Sequence, residues 1–137
     1  MTEVTVIDVG RVQMISAPGE LDPVLFLGGY DGTYTPPGVP IVDPENENPP
    51  DLSMAPSGPY LRDLARSDAE HVWLLGLTND FLGYLIPEFD YVLDETTPYL
   101  AEAPGDHYEE TNSVGIDGWP RIRSELEALL AWRPAGD

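Results

Sequence analysis

The chain has 137 residues, 42% of them apolar, and a formal charge of −19 built from 25 acidic residues against six arginines and no lysine. That length fits one domain around one core, and the apolar content with three tryptophans places the chain among folded rather than disordered sequences. So acidic a surface repels DNA, RNA and anionic lipid and argues against those partners, while the lack of cysteine excludes disulfides and thiolate metal sites.

From the N-terminus, Thr2–Ile15 is rich in β-branched residues, and Gly10 permits a turn, which predicts one or two strands of a buried sheet. Ser16–Gly19 punctuates, and Glu20–Leu27 reads as a short helix with Glu20, Asp22 and Pro23 in its first turn and Gly28-Gly29 at its end. Tyr30–Pro59 holds most of the prolines and the acidic run Asp43–Asp51; such proline density blocks helix and sheet and predicts a long surface loop within the domain. Tyr60–Arg66 reads as a short amphipathic helix with Leu61 and Leu64 inward.

His71–Thr78 is continuously apolar, the pattern of a central strand, and Phe81–Pro87 continues as a second extended segment after a turn at Asn79-Asp80. Glu88–Gly105 is loop, pinned by Tyr91, Val92 and Leu93. A final helix has Pro120 in its first turn, a stripe of Ile122, Leu126, Leu129 and Leu130, and Pro134 and Gly136 as its stop. The whole reads as α/β: a mixed sheet with few short helices, a long Pro-rich loop, and the C-terminal helix packed on the sheet. The apolar stretch around His71–Pro87 is broken by Thr78, Asn79, Asp80 and Gly83, so no membrane span is expected, and no basic head with an apolar run marks a signal peptide.

No single motif here is decisive. Gly28-Gly29-Tyr30-Asp31-Gly32 lacks the lysine of a phosphate loop and reads as helix end plus turn. The acidic run Asp43–Asp51 lacks the glycine and spacing of a calcium loop and reads as solvated surface. His107, beside Asp106 and Tyr108, reads as a solvated loop histidine, and His71 opens a buried strand.

Three segments share one property, polar groups placed where the backbone turns: Pro18-Gly19-Glu20, Gly76–Tyr84 and His107–Ser113. A glutamate after Pro-Gly is well placed to ligate a cation, and tyrosine can ligate a metal as phenolate or donate its hydroxyl to an oxyanion. Their order also carries a resemblance. Pro18–Leu21, Asn79–Tyr84 and Glu110–Ser113, followed by a closing helix, resemble the C-terminal part of the catalytic domain of the neutral/alkaline (non-lysosomal) ceramidases, most closely their bacterial ceramidase-like branch. The likeness spans about Val4 to Trp132.

That family hydrolyses the amide joining a fatty acid to sphingosine, with zinc held by two histidines, a glutamate and a tyrosine. The resemblance implies that Glu20 and Tyr84 are metal ligands, zinc being the cofactor, and that Tyr108 is a catalytic residue steadying the oxyanion. It also implies a ceramide-like amide as substrate. The family's histidine ligands and serine region lie upstream of everything present here, and neither His71 nor His107 matches them. The chain departs further in the length of Tyr30–Pro59 and in Leu21–Gly29, where the family carries an arginine-bearing helix.

Two organisations follow: residues 1–137 as a single domain, or as the C-terminal segment of a larger catalytic domain whose upstream part is another segment or a second chain. The second expects a soluble product of a longer, secreted or periplasmic precursor. The function divides likewise, between part of a zinc amidohydrolase and a non-catalytic acidic α/β module that binds a partner through its Pro-rich loop.

Overall fold

The structure is a computed structural model that describes residues 2–29, 43, 45–49 and 51–133. Gly10, at φ 57°, turns the β-branched N-terminal stretch into an antiparallel hairpin of β1 (Thr5–Val9) and β2 (Val12–Ser16). The chain then passes through Ala17–Gly19 into a short strand, β3 (Glu20–Leu21). Helix α1 (Pro23–Leu27) follows, its first amide satisfied by Asp22, whose Oδ1 accepts from the Val24 N–H at 3.0 Å. Glu20 therefore lies on a strand and not in the helix's first turn, as the sequence reading had it. The helix begins at Pro23 because Asp22-Pro23 is the stronger start signal, an N-cap oxygen followed by a ring that needs no amide partner.

β4 (His71–Leu75) runs parallel to β2 on the side away from β1, giving a three-stranded mixed sheet in the order β1-β2-β4. The apolar run predicts a central strand, but among the described residues β4 is the last strand of the sheet. Both β2 and β4 then bend and re-pair: β5 (Tyr84–Leu85) lies parallel to β3, with Glu20 opposite Tyr84 and Leu21 opposite Leu85. Helix α2 (Tyr108–Thr111) and the fourteen-residue α3 (Gly118–Ala131) complete the fold.

α3 buries Trp119, Ile122, Leu126 and Leu130, one stripe at helical spacing, against β1 and the 3₁₀ turn Leu61–Leu64. The expected Leu129 is 40% exposed: it lies on the flank of that stripe, about 20° beyond Ile122 around the helix. Ile15, Leu85 and Leu126 are the centre of the core, and Leu21, Leu25, Phe26 and Leu61 extend it. Full burial of one such side chain contributes about 1.5–3 kcal/mol.

Gln13, 3% exposed, is the polar residue of this layer, and its amide is used at both ends: Nε2 donates to Asp8 Oδ1 at 2.9 Å, and Oε1 accepts from the Arg66 N–H at 3.0 Å. The described part of the Pro-rich stretch is bends and one 3₁₀ turn, Leu52–Met54, capped by Asp51; the rest of Tyr30–Pro59 lies outside the described residues, as do Pro134 and Gly136. No described helix is long and apolar enough to cross a membrane.

Candidate functional site

Because β3 and β5 are parallel and in register at Glu20 and Tyr84, these two side chains leave the ribbon on the same face. Their approach depends on two glycines. A Cβ on Gly19 would sit 2.6 Å from the Gly83 carbonyl oxygen, and one on Gly83 would sit 2.1 Å from the Asn112 carbonyl oxygen. With no side chain at either place, the Glu20 N–H donates to the Gly83 carbonyl at 2.9 Å, and the Tyr84 N–H donates to that of Asn112 at 3.3 Å. Tyr84 also bridges Ser113 in parallel sense, which ties the chain leaving α2 to the other edge of β5.

That tie sets Tyr108, the first residue of α2, against Tyr84. The two rings meet edge to face, with centroids 5.8 Å apart and planes at 74°. Glu20 and Tyr84, with Tyr108 against the latter, thus lie at the start of β3 and β5, beyond the carboxyl ends of the parallel pair β2 and β4, the side on which open α/β sheets bind their ligands.

Glu20 and Tyr84 open into a cleft of about 330 Å³ that is also lined by Asp22, Asp90, Asp106, Glu109, Glu110, Asn46 and Asn48. Such crowding of carboxylates disfavours further negative charge. Burial raises the Asp90 carboxyl to about 6, and Glu110 and Asp22 add to the rise while His107 opposes it. Burial also raises Asp22, against the hydrogen bond from Val24. The Tyr84 phenol is raised by desolvation first, then by Glu20, Tyr108 and Glu109, so it stands as a neutral hydroxyl donor facing an acidic cleft.

The wall behind Tyr108 is held by His107, which is buried at 4% exposure, not solvated. Its Nδ1 lies 2.9 Å from Oε1 of the equally buried Glu110 and 3.0 Å from Nδ2 of Asn48. A carboxylate can only accept, so the Nδ1 proton belongs on the Glu110 side, and the Asn48 amide is left to donate to the Asp106 carbonyl at 3.3 Å. His71, by contrast, is exposed at the start of β4. Sequence reasoning missed Asp90, and it named Asp22 and Glu110 only as a first-turn residue and as the start of a motif, not as members of the cleft. Only the His107–Glu110 spacing of three residues along a helix start carried a local sign of the pair.

Zinc centres use three or four protein donors. The face shared by Glu20 and Tyr84 offers one carboxylate and one phenol, with the nearby imidazole of His107 turned to Glu110. Among the described residues, no three of His, Cys, Asp and Glu form a group able to hold a metal ion. The described residues therefore do not make a complete zinc centre. The chain matches no protein-family model, no curated protein and no solved structure.

Proposed function

We propose that the chain is the C-terminal portion of a zinc-dependent amidohydrolase resembling the neutral ceramidases, acting on a ceramide-like N-acyl lipid. In this reading it contributes Glu20 and Tyr84 as metal donors and Tyr108 as the hydroxyl that donates to the oxyanion. The observation that carries it is the register of β3 on β5: Glu20 and Tyr84 are direct partners, and the ring of Tyr108 lies against that of Tyr84. That residues of separate motifs meet here supports a shared site. The acidic lining supports the same reading, since a cleft of carboxylates favours a bound cation over an anion. The missing imidazoles are then the contribution of an upstream segment or second chain.

The test is complementation. Alone, the chain should retain zinc weakly in equilibrium dialysis and leave N-acylsphingosine intact. A histidine-bearing catalytic segment of a ceramidase-like enzyme, added in trans, should bring both zinc retention and amide hydrolysis. Glu20→Gln and Tyr84→Phe should lose the retention; Tyr108→Phe should keep it and lose turnover. If the two parts associate and neither property appears, the proposal fails. If function survives these substitutions and is lost only on deletion of residues 30–59, the non-catalytic binding module is the correct reading.

A further inference from the structure

One wall of the acidic cleft is built differently from the rest. Glu20 and Tyr84 stand on paired strands and Glu110 in a buried ion pair, whereas Asn46 and Asn48 come from the turn 45–49 of the Pro-rich stretch. That turn is folded on its own groups. The Glu45 N–H donates to Asp43 Oδ1 at 2.9 Å, the Asn46 N–H to the Asp43 carbonyl at 3.2 Å, and the Asn48 N–H to Asn46 Oδ1 at 2.9 Å. These bonds give the turn its shape and fasten it to nothing else.

Its fastening to the body is one side chain. The half-buried Asn48 reaches Asp106 and His107, 58 and 59 residues away along the chain, while Glu45, Asn46 and Glu47 are exposed. Only one of the two approaches is a bond. The Nδ2 group can only donate and the Nδ1 proton of His107 is committed to Glu110, so what remains is the donation to the Asp106 carbonyl at 3.3 Å. Among the described residues, no other hydrogen bond or ion pair joins 45–49 to the cleft. The receiving side is fixed, because His107 and Glu110 are both buried.

Charge works against this clasp. Asp43, Glu45 and Glu47 stand on the turn, and six carboxylates line the cleft beside it, at Glu20, Asp22, Asp90, Asp106, Glu109 and Glu110. Among the described residues, no arginine pairs with the three on the turn. Those of the cleft already act on one another: burial raises the Asp90 carboxyl first, and Glu110 and Asp22 raise it further. Repulsion of this kind is long-ranged at low salt, since the screening length is about 30 Å at 0.01 M and about 8 Å at 0.15 M. A neutral hydrogen bond is short-ranged and does not share that dependence. Ionic strength therefore decides which of the two prevails.

We infer that residues 45–49 are a strap over the acidic cleft, clasped by Asn48 and opposed by like charge, which lifts at low ionic strength and closes as salt screens the cleft. Access to Glu20 and Tyr84 is then set by the charge balance of the cleft. The strap does not rest on the function proposed above, because it uses only the position of the turn and its charges.

The test follows the isotope-labelled full chain by nuclear magnetic resonance near neutral pH, through the contact between the Asn48 side-chain amide and the His107 ring. Between about 150 mM and about 10 mM sodium chloride that contact should weaken at least about threefold, with circular dichroism constant. Glu45→Gln combined with Glu47→Gln removes two like charges, leaves Asn48 in place, and should keep the contact at the lower salt. Asn48→Ala removes the clasp, and at the higher salt it should move the His107 ring signals to where the unaltered chain shows them at the lower. Equal contact at both salts overturns the inference, as does a low-salt loss that the paired glutamines do not prevent. So do His107 signals that Asn48→Ala leaves unmoved. A change of circular dichroism at the lower salt overturns it too, since the strap would then not move apart from the body.

Discussion

The approach of β3, β5 and the chain after α2 rests on an absent side chain at Gly83, and its cost of restoration can be worked out. Gly83 has φ 76°, and a Cβ there would sit 2.1 Å from the carbonyl oxygen of Asn112, a backbone atom with no rotamer to escape into. Gly10 is the internal control, since its φ is 57° and nothing lies within 4 Å of its notional Cβ. Gly10→Ala should therefore cost only the left-handed backbone penalty of about 1–2 kcal/mol.

Gly83→Ala carries the same penalty and in addition must push the Asn112 carbonyl away. That sacrifices the Tyr84 N–H bond, about 1 kcal/mol, and loosens the Tyr84–Tyr108 ring pair, about 0.5–1.5 kcal/mol. The sum is about 3–4 kcal/mol, a large share of the roughly 5–15 kcal/mol that holds a domain together. Urea unfolding followed by tryptophan emission, with buried Trp119 as the reporter of the core, should place the Gly83→Ala midpoint about 1 M below that of Gly10→Ala at a typical slope of about 2 kcal/mol per M. Equal midpoints for the two alanines would refute the close-approach argument.

Asp90 offers a pH test. Its carboxyl stands at about 6 in the folded chain against 3.8 as the ordinary value, so between those values the native state binds the proton that the unfolded state has lost. Stability should therefore fall as pH rises through that window, and Asp90→Asn should remove that part of the slope, on the order of 1 kcal/mol once solvent screening is allowed for. Urea midpoints of both proteins at pH 4.5 and 7 decide it, and parallel shifts would reject the assignment. Glu110→Ala should destabilise by about 1–3 kcal/mol because it strands the buried His107, whereas Glu109→Ala, exposed one position before it, should stay within about 0.5 kcal/mol; thermal unfolding of the pair reads the difference.

What the sequence made legible is what short stretches decide. The hairpin at Gly10, the helix end at Gly28 and, Leu129 apart, the stripe of α3 each depend on a residue and its near neighbours, and each is found as read. Glu20 was placed on the wrong element for a reason equally local. Asp22-Pro23 starts the helix, and two residues upstream the backbone is claimed by Gly83 and Leu85, partners that only the tertiary fold supplies. His107 failed in the same way: its burial is made by Glu110 and by Asn48, and nothing near Asp106 announces the second of these.

The site itself was legible in its membership and silent in its geometry. The ordered motifs named Glu20, Tyr84 and Tyr108, but the register that sets the first two side by side is a property of two strands bent out of the main sheet. The three carboxyls at Asp22, Asp90 and Glu110 come from a helix cap, the 3₁₀ turn Glu88–Asp90 and a buried pair, so no spacing rule groups them. β4 is the case where sequence and structure disagree most usefully. Its composition asks for cover on both faces, and the described fold covers one. A tryptophan half in water on a parallel strand costs stability in every copy of the chain in which it stays uncovered.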